Sequence, residues 1–168
     1  MDTFSADDRS FIMRQVRSKD TKPEMLVRSF LHQKGFRFRL HVKSLPGHPD
    51  IVLPKYKTVI EVRGCFWHRH RGCKAATTPA SNTAYWTEKF QRNVERDKKT
   101  KASLQKLGWH VIVIWECQLK NTSYLSRLPN RIITNKNIQS TQKNSNYTAK
   151  QFKFFSVSNN DTNSTDNQ

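Results

Sequence analysis

The hydrophobic pattern of the chain predicts short buried strands separated by amphipathic helices. Three short apolar runs rich in valine and isoleucine are typical of strands inside a sheet, at residues 50–53, 57–63 and 109–115. A fourth stretch alternates strictly between apolar and basic positions and predicts a strand with a basic outer face, residues 36–41. Helical spacing predicts helices at residues 7–17, 21–35, 82–107 (as one or two helices) and, weakly, 119–128. Together these elements predict an α/β domain with a central mixed β-sheet flanked by helices.

The helix over residues 21–35 has the clearest boundary signals. Thr21 is a favourable N-cap, Pro23 suits the first turn, and Gly35 ends the apolar pattern. Glu24 stands three residues after Thr21 and completes a capping box. From this stretch alone, Glu24 is interpreted as a capping carboxylate, and a place in a functional site is the alternative.

The composition of the chain changes after about residue 135. Asn, Ser, Thr, Gln and Lys dominate residues 136–168, which contain too little apolar surface to fold. We therefore expect a folded domain over residues 1–135 and a disordered tail over residues 136–168. No apolar run approaches the ~18–20 residues of a membrane span. The polar N-terminus is unlike a signal peptide, so we expect a cytoplasmic protein.

The charge of the chain is strongly positive. Its 168 residues include 30 lysines and arginines against 13 aspartates and glutamates, which gives a formal net charge of +17. Such a surface attracts polyanions, so nucleic acid is the first candidate partner. The alternative is a soluble protein that is merely basic. We expect the protein to act on nucleic acid as a monomer.

Cysteine and histidine are concentrated in one short stretch, residues 64–73. Cys65, His70 and Cys73 follow the spacing C-x4-H-x2-C, and Cys117 is the third and last cysteine of the chain. An odd number of cysteines argues against a closed set of disulfides, whereas three thiolates and one imidazole complete a tetrahedral zinc shell. Four protein ligands leave no open position, so this zinc would be structural. The alternative is three buried thiols that behave as small hydrophobic groups.

Acidic residues occur at the ends of two predicted strands. Asp50 opens one strand, and Glu61-x-Arg63 ends the next. If these strands form a hairpin, Asp50 lies near Glu61 or the neighbouring carbonyl group, and Glu24 could join them around magnesium. The arrangement resembles the PD-(D/E)XK nucleases, with Arg63 in place of their usual lysine.

A set of motifs in fixed order carries a more specific resemblance. The motifs are Leu-Pro-Gly-His-Pro-Asp at 45–50, Gly-Cys-Phe-Trp-His at 64–68, Asn-Val-Glu-Arg-Asp at 93–97, and Leu-Gly-Trp through Trp-Glu-Cys at 107–117. Together they resemble the very short patch repair endonucleases over about residues 8–120. The resemblance implies a restriction-endonuclease-like fold. It also implies an enzyme that nicks DNA beside the thymine of a T:G mismatch, which arises when 5-methylcytosine is deaminated.

The resemblance assigns roles to residues of this chain position by position. Asp50 matches the metal-binding aspartate, and the backbone carbonyl of Val62 matches a second magnesium ligand. Glu24 matches a helix glutamate that holds a water of the metal shell, so the resemblance favours a site role over capping. His68 matches the histidine beside the attacking water, and Asp97 matches an acid that supports the site.

The resemblance also implies a wedge for mismatch recognition. Phe66 and Trp67 match an aromatic pair that is pushed into the base stack, and Met13 matches an apolar side chain inserted from the opposite side. A T:G wobble pair is easier to unstack than a normal pair, so a rigid probe meets less resistance there. From the sequence alone, Phe66 and Trp67 could equally be core residues. The zinc shell matches the family at Cys65, His70, Cys73 and Cys117.

Two positions depart from the best-known members of the family. Glu61 and Arg63 replace an apolar residue and a histidine, so we expect Glu61 to join the magnesium shell. Arg63 is then a candidate catalytic residue that contacts phosphate. Asn93, one helical turn before Asp97, is a lesser candidate.

The resemblance thus implies catalytic Mg²⁺, structural Zn²⁺, a double-stranded DNA substrate with a T:G mismatch, and mismatch-repair proteins as partners. Two other functions stay open. One is a restriction-type nuclease that cuts both strands, and the other is a non-catalytic, zinc-bearing DNA-binding protein.

Overall fold

The structure is a computed structural model that describes residues 11, 15 and 19–134, except for the side chain of Thr122. Most of the helix predicted at residues 7–17, the wedge candidate Met13 and the tail predicted at residues 136–168 lie outside the described residues.

A four-stranded mixed sheet forms the centre of the domain. Its strands are β1 (Arg39–Leu40), β2 (Ile51–Leu53), β3 (Thr58–Arg63) and β4 (His110–Trp115), and they lie side by side in this order. The β1–β2 and β2–β3 pairs are antiparallel, whereas β3 and β4 are parallel. The parallel connection is made by a long helix, as parallel pairing requires. The predicted mixed sheet is therefore confirmed.

Within the part of the chain that the structure describes, helices α1 (Lys22–Gln33), α2 (Thr83–Lys106) and α3 (Thr122–Ser126) surround the sheet. Short 3-10 helices follow β2 and β4, at Pro54–Tyr56 and Glu116–Lys120, and residues 128–134 are also helical. The region predicted as one or two helices at residues 82–107 is a single helix, α2. Among the described residues, no helix is both long and apolar enough to span a membrane.

The ends of α1 follow the signals in the sequence. Thr21 is the N-cap, and its hydroxyl oxygen accepts a hydrogen bond from the Glu24 backbone N–H. At the other end, Gly35 has φ +76°, a conformation that glycine adopts at little cost. The Phe36 N–H donates to the Leu31 carbonyl, and the Gly35 N–H donates to that of His32. These two bonds form a Schellman motif and close the helix.

The strand predicted at residues 36–41 is wrong in length, because only Arg39 and Leu40 pair with the sheet. Phe36 belongs to the end of α1 and is buried in the core, and Phe38 packs against the same core. Their spacing of two residues produced the alternating pattern without an extended strand between them.

Both faces of the sheet are covered. Ile51, Leu53, Ile60, Ile112 and Ile114 face a core formed with α1, α3 and residues 128–134. Alternate strand residues face the other side, where Val52 and Val59 pack with Leu104 of α2. This alternation explains why the strand sequences are apolar at almost every position.

Candidate active site and metal centre

The β2–β3 hairpin places Asp50 beside the end of β3. Ile51 pairs with Ile60, so the residue before β2 lies next to the last residues of β3. The Val62 backbone N–H donates to Asp50 Oδ2 over 2.8 Å. The predicted proximity of these two segments is therefore confirmed.

Asp50 opens into a cleft of about 830 Å³. Its walls come from α1, the end of β3, the loop that follows β3, and the middle of α2. The cleft-lining residues include Glu24, Asp50, Glu61, Val62, Arg63, Trp67, His68, Asn93, Arg96, Asp97 and Glu116. All five residues with a predicted catalytic role, Asp50, His68, Glu24, Asp97 and Arg63, thus reach one cavity.

Two carboxylates near Asp50 are each held by an arginine. Glu24 is buried and pairs with Arg28, with 2.7 Å between Oε2 and Nη2. Glu61 is also buried, though less completely, and pairs with Arg63. Glu24 takes part in the start of α1 as well, because its Oε1 accepts from the Thr21 hydroxyl over 2.9 Å and its Oε2 accepts from the Asp20 backbone N–H over 3.1 Å. A capping box would use the Thr21 N–H instead, so the carboxylate makes a variant of the predicted contact while it lines the cleft.

The pKa of Asp50 is raised to about 6, chiefly by burial and also by the nearby carboxylates of Glu24 and Glu61, although the hydrogen bond from the Val62 N–H acts in the opposite direction. The negative charge at this position is incompletely balanced by the protein. Hard oxygen donors with excess negative charge are the ligands that Mg²⁺ prefers, so the residues present fit that ion.

His68 and Asp97 form the other side of the cleft. His68 Nδ1 lies 2.5 Å from Asp97 Oδ2, and Arg63 Nη1 lies 3.4 Å from the same oxygen. Arg63 therefore bridges the carboxylates of Glu61 and Asp97. A carboxylate bonded to Nδ1 selects the imidazole tautomer whose Nε2 accepts a proton.

The three cysteines and His70 meet at the end of β3 and β4. One donor atom from each of Cys65, His70, Cys73 and Cys117 lies within 4.8 Å of the other three. His70 Nδ1 is the nitrogen that faces the sulfurs, at 3.3 Å from Cys117 and 3.7 Å from Cys65. The pKa of the Cys65 thiol is raised to about 12 by burial and by the neighbouring thiols. This closed donor set fits a tetrahedral zinc ion.

The proposed wedge residues lie in an aromatic cluster, defined here as Phe66, Trp67, Trp86 and Phe90. The Phe66 ring is 5.0 Å from Trp67 and 5.1 Å from Phe90, both edge to face. Phe66 and Trp67 are half-buried, so the structure makes them neither fully core residues nor fully exposed ones. The Asn93 side-chain amide donates to the Trp67 carbonyl over 3.1 Å.

Several residues of the site were not identified from the sequence. Arg28 was missed, although it stands four residues after Glu24, a spacing that pairs opposite charges on a helix. Trp86 and Phe90 were missed because their spacing also suits an ordinary buried helix face. Asp20 and His41 carry no recognisable signal, since they meet Arg28 only through the fold.

The amino-acid sequence of the chain is similar to those of known proteins. Residues 1–74 match the family described as "DNA mismatch endonuclease Vsr". The chain is 49% identical over 132 residues to the type II nicking enzyme V.NmeAIP of Neisseria meningitidis, covering 79% of this chain and 94% of that protein.

Two further relatives have similar coverage. Type II nicking enzyme V.XorIIP of Xanthomonas oryzae is 48% identical over 130 residues, which are 77% of this chain and 95% of that protein. DNA mismatch endonuclease Vsr of Escherichia coli is 42% identical over 125 residues, which are 74% of this chain and 80% of that protein.

Removal of zinc is expected to destabilise the whole domain. A strong chelator, or the change Cys117→Ser, should lower the melting temperature by at least ~10 °C, because a zinc ion on these four residues would join the loop after β3 to the segment after β4. Calorimetry measures the melting temperature, and metal analysis measures the zinc content. Adding zinc back, but not magnesium, should restore the chelated protein. A zinc-free protein with an unchanged melting temperature would contradict a structural role.

Replacing Asp50 by asparagine is expected to stabilise the magnesium-free protein at pH 7.5. The pKa of Asp50 is raised in the folded state, so folding is disfavoured as pH rises from about 4 to 6, by up to about 3 kcal/mol. Asp50→Asn removes this penalty, and the gain should fall to about half at pH 5. Urea unfolding of the variant and the wild-type protein at pH 7.5 and pH 5 measures this gain in the free energy of unfolding. The exposed Glu88→Gln variant is the control, and equal stability of Asp50→Asn and wild type at pH 7.5 would refute the assignment.

Proposed function

The chain belongs to the Vsr family of DNA mismatch endonucleases, and we propose that it nicks one strand of duplex DNA at the thymine of a T:G mismatch. In this proposal the mismatch originates from deamination of 5-methylcytosine within a cytosine-methyltransferase site. The observation that supports it most directly is the cleft in which Asp50 faces the His68–Asp97 pair. The residue next to His68, Trp67, belongs to the aromatic cluster, so the reacting groups and the recognition element are adjacent in the chain.

Phosphodiester hydrolysis requires stabilisation of negative charge and activation of water. Bound Mg²⁺ supplies the Lewis acidity for the first task. We assign its binding to Asp50 and the carbonyl of Val62, with Glu61 contributing through the carboxylate oxygen that Arg63 leaves available. Glu24, at the same end of the cleft, orients water by accepting a hydrogen bond.

His68 is assigned to the activation of water. Its Nδ1 is engaged by Asp97, so Nε2 is the nitrogen that accepts a proton. Arg63 stabilises the negative charge of Asp97 and limits its rotation. An ordered His68–Asp97–Arg63 chain is the arrangement expected of a general base whose tautomer must stay fixed. Contact of Arg63 with the phosphate remains a further part of the proposal.

A groove beside the cleft is suited to the DNA backbone. It has a volume of about 390 Å³ and is lined by Pro46, Arg92, Glu95, Arg96, Lys99, Thr100 and Ser103. Arg92, Arg96 and Lys99 lie on one face of α2, and Arg96 also lines the cleft. Of these three, only Arg92 has a recorded ion pair within the described part of the chain, an exposed contact with Glu88. We assign this groove to phosphates next to the nicked position.

Cleavage of end-labelled duplexes tests the function. With Mg²⁺, we expect a single nick at the mismatched thymine of a T:G duplex and little cleavage of the T:A duplex. Asp50→Ala should reduce the nicking rate by at least ~10³-fold, since metal-assisted charge stabilisation is worth several kcal/mol. Binding to the T:G duplex should change little.

Other outcomes would select a different function. Cleavage of both strands, or equal cleavage of T:G and T:A, would favour a restriction-type nuclease. Mismatch binding with no cleavage by the wild-type protein under any metal condition would favour a DNA-binding protein. Full activity of Asp50→Ala would refute the site assignment.

The aromatic pair should control the choice of substrate. Changing both Phe66 and Trp67 to alanine is expected to reduce the preference for T:G over T:A by about 10-fold or more, because stacking is worth ~1–3 kcal/mol per base. Affinity for matched DNA should fall much less, since phosphate contacts dominate it. Binding and nicking on both duplexes measure the effect. Equal losses on the two duplexes would show that the rings only support the loop, and circular dichroism checks that the variant is folded.

A further inference from the structure

Arg28 is a buried cation at the edge of the cleft that none of the assigned functions uses. It lies on α1, one turn after Glu24, and only 8% of its side chain is exposed. Nη2 donates to Glu24 Oε2 over 2.7 Å, and Nη1 pairs with Asp20. His41 Nε2 lies 3.1 Å from Nη2. One guanidinium group therefore contacts two carboxylates on or just before its own helix and a histidine 13 positions further along, in addition to the Met25 sulfur 3.6 Å from Nη1.

These three partners have the composition of a metal site. One donor atom from each of Asp20, Glu24 and His41 lies within 4.8 Å of the other two. The Arg28 guanidinium, however, contacts all three of them and supplies positive charge. Because arginine has only donors, His41 Nε2 must accept the hydrogen bond from it. The cluster is therefore already occupied by a cationic side chain of the protein, which offsets one of its two carboxylate charges.

The contacts of Glu24 restrict its carboxylate to one orientation. Oε1 accepts from the Thr21 hydroxyl at 2.9 Å, while Oε2 accepts from Arg28 and from the Asp20 backbone N–H at 3.1 Å. Glu24 is only 3% exposed, and burying a carboxylate without a cationic partner is costly. Arg28 is thus the cation that pairs with Glu24 and holds its carboxylate along the cleft wall.

We propose that Arg28 is a positioning residue for strand cleavage, which fixes the Glu24 carboxylate beside Asp50 and takes the place of a metal ion between Asp20, Glu24 and His41. The inference rests on the proposed function, because it assigns Glu24 to the cleavage site. Arg28 has two separable properties: a planar fork that orients Glu24, and a positive charge that opposes cation binding nearby.

Two substitutions separate these properties. Arg28→Lys keeps the charge but loses the fork, so we expect nicking of the T:G duplex to slow by about 10–100-fold. Its half-saturating Mg²⁺ concentration should remain unchanged. Arg28→Met loses both properties, so we expect a similar loss of rate together with a several-fold lower half-saturating Mg²⁺ concentration. In both variants KM for the duplex should stay within about twofold of wild type, because the change lies away from the base and phosphate contacts.

Direct metal binding supplies a measurement independent of activity. In the DNA-free protein, Mn²⁺ titration followed by electron paramagnetic resonance should show tighter binding to Arg28→Met and unchanged binding to Arg28→Lys. Arg131→Met is the matched control, since Arg131 is an exposed arginine that contacts Tyr124 and does not line the cleft. That control should match wild type in rate and in Mn²⁺ affinity. If Arg28→Met is unfolded at the assay temperature, the nicking rates of Arg28→Lys and Arg28→Gln still test whether the planar guanidinium orients Glu24.

The outcomes are distinguishable. Wild-type rate in Arg28→Lys would overturn the positioning role, and weaker Mn²⁺ binding in Arg28→Met would overturn the charge argument. A uniform rise in KM with an unchanged rate would show that Arg28 acts only in DNA binding. Failure of the wild-type protein to nick T:G duplexes would refute the proposed function instead, whereas the Mn²⁺ result would still test the charge of Arg28.

Discussion

The parallel pairing of β3 and β4 is the constraint on which the site depends. Arg63 pairs with Trp115, so both strands leave the sheet at the same edge. Cys65 and Cys117 each follow two residues after this last pair, which brings together thiols that lie 52 positions apart. The same edge receives Asp50 through the β2–β3 hairpin. The cluster of three cysteines and His70 and the acidic cleft are therefore both consequences of one strand register.

The electrostatics of the cleft balance function against stability. Asp50, Glu24 and Glu61 place three carboxylates around one small volume, and a protein without a bound cation must offset their repulsion. Among the described residues, Glu24 and Glu61 each form an ion pair with an arginine, whereas Asp50 accepts its hydrogen bond from the Val62 backbone N–H and forms no ion pair. The unbalanced charge therefore concentrates on the one carboxylate that is best placed to bind a metal ion. The free-energy cost that Asp50 imposes on the folded state and its suitability for binding a cation therefore both come from this unbalanced negative charge.

Helix α2 links the aromatic cluster to the reacting groups. Asn93 holds the Trp67 carbonyl and Asp97 holds the His68 ring, and the two side chains are one helical turn apart. Trp67 and His68, which are neighbours in the loop after β3, are thus both attached to one face of α2. A zinc ion bound by the same loop would further limit its movement, so the distance between the aromatic cluster and His68 is set by the fold rather than by the loop alone.

The sequence by itself determined the local features of this protein. The apolar runs predicted three of the strands, the Thr21–Gly35 signals predicted α1, and the cysteine and histidine spacing predicted the four residues that meet after β3 and β4. These features could be predicted because hydrophobic periodicity, helix caps and ligand types act over short distances. The order of the motifs, through the family resemblance, predicted that Asp50, His68 and Asp97 belong to one site.

Only the tertiary structure decided how that site is balanced. It limited the strand predicted at residues 36–41 to Arg39 and Leu40, because Phe36 is used to close α1. It packed Trp86 and Phe90 against Phe66, and it surrounded Arg28 with Asp20, Glu24 and His41. These contacts join segments whose spacing carries no periodic or chemical signal, and the cost of burying each charge depends on which partners the packed chain brings within hydrogen-bonding distance.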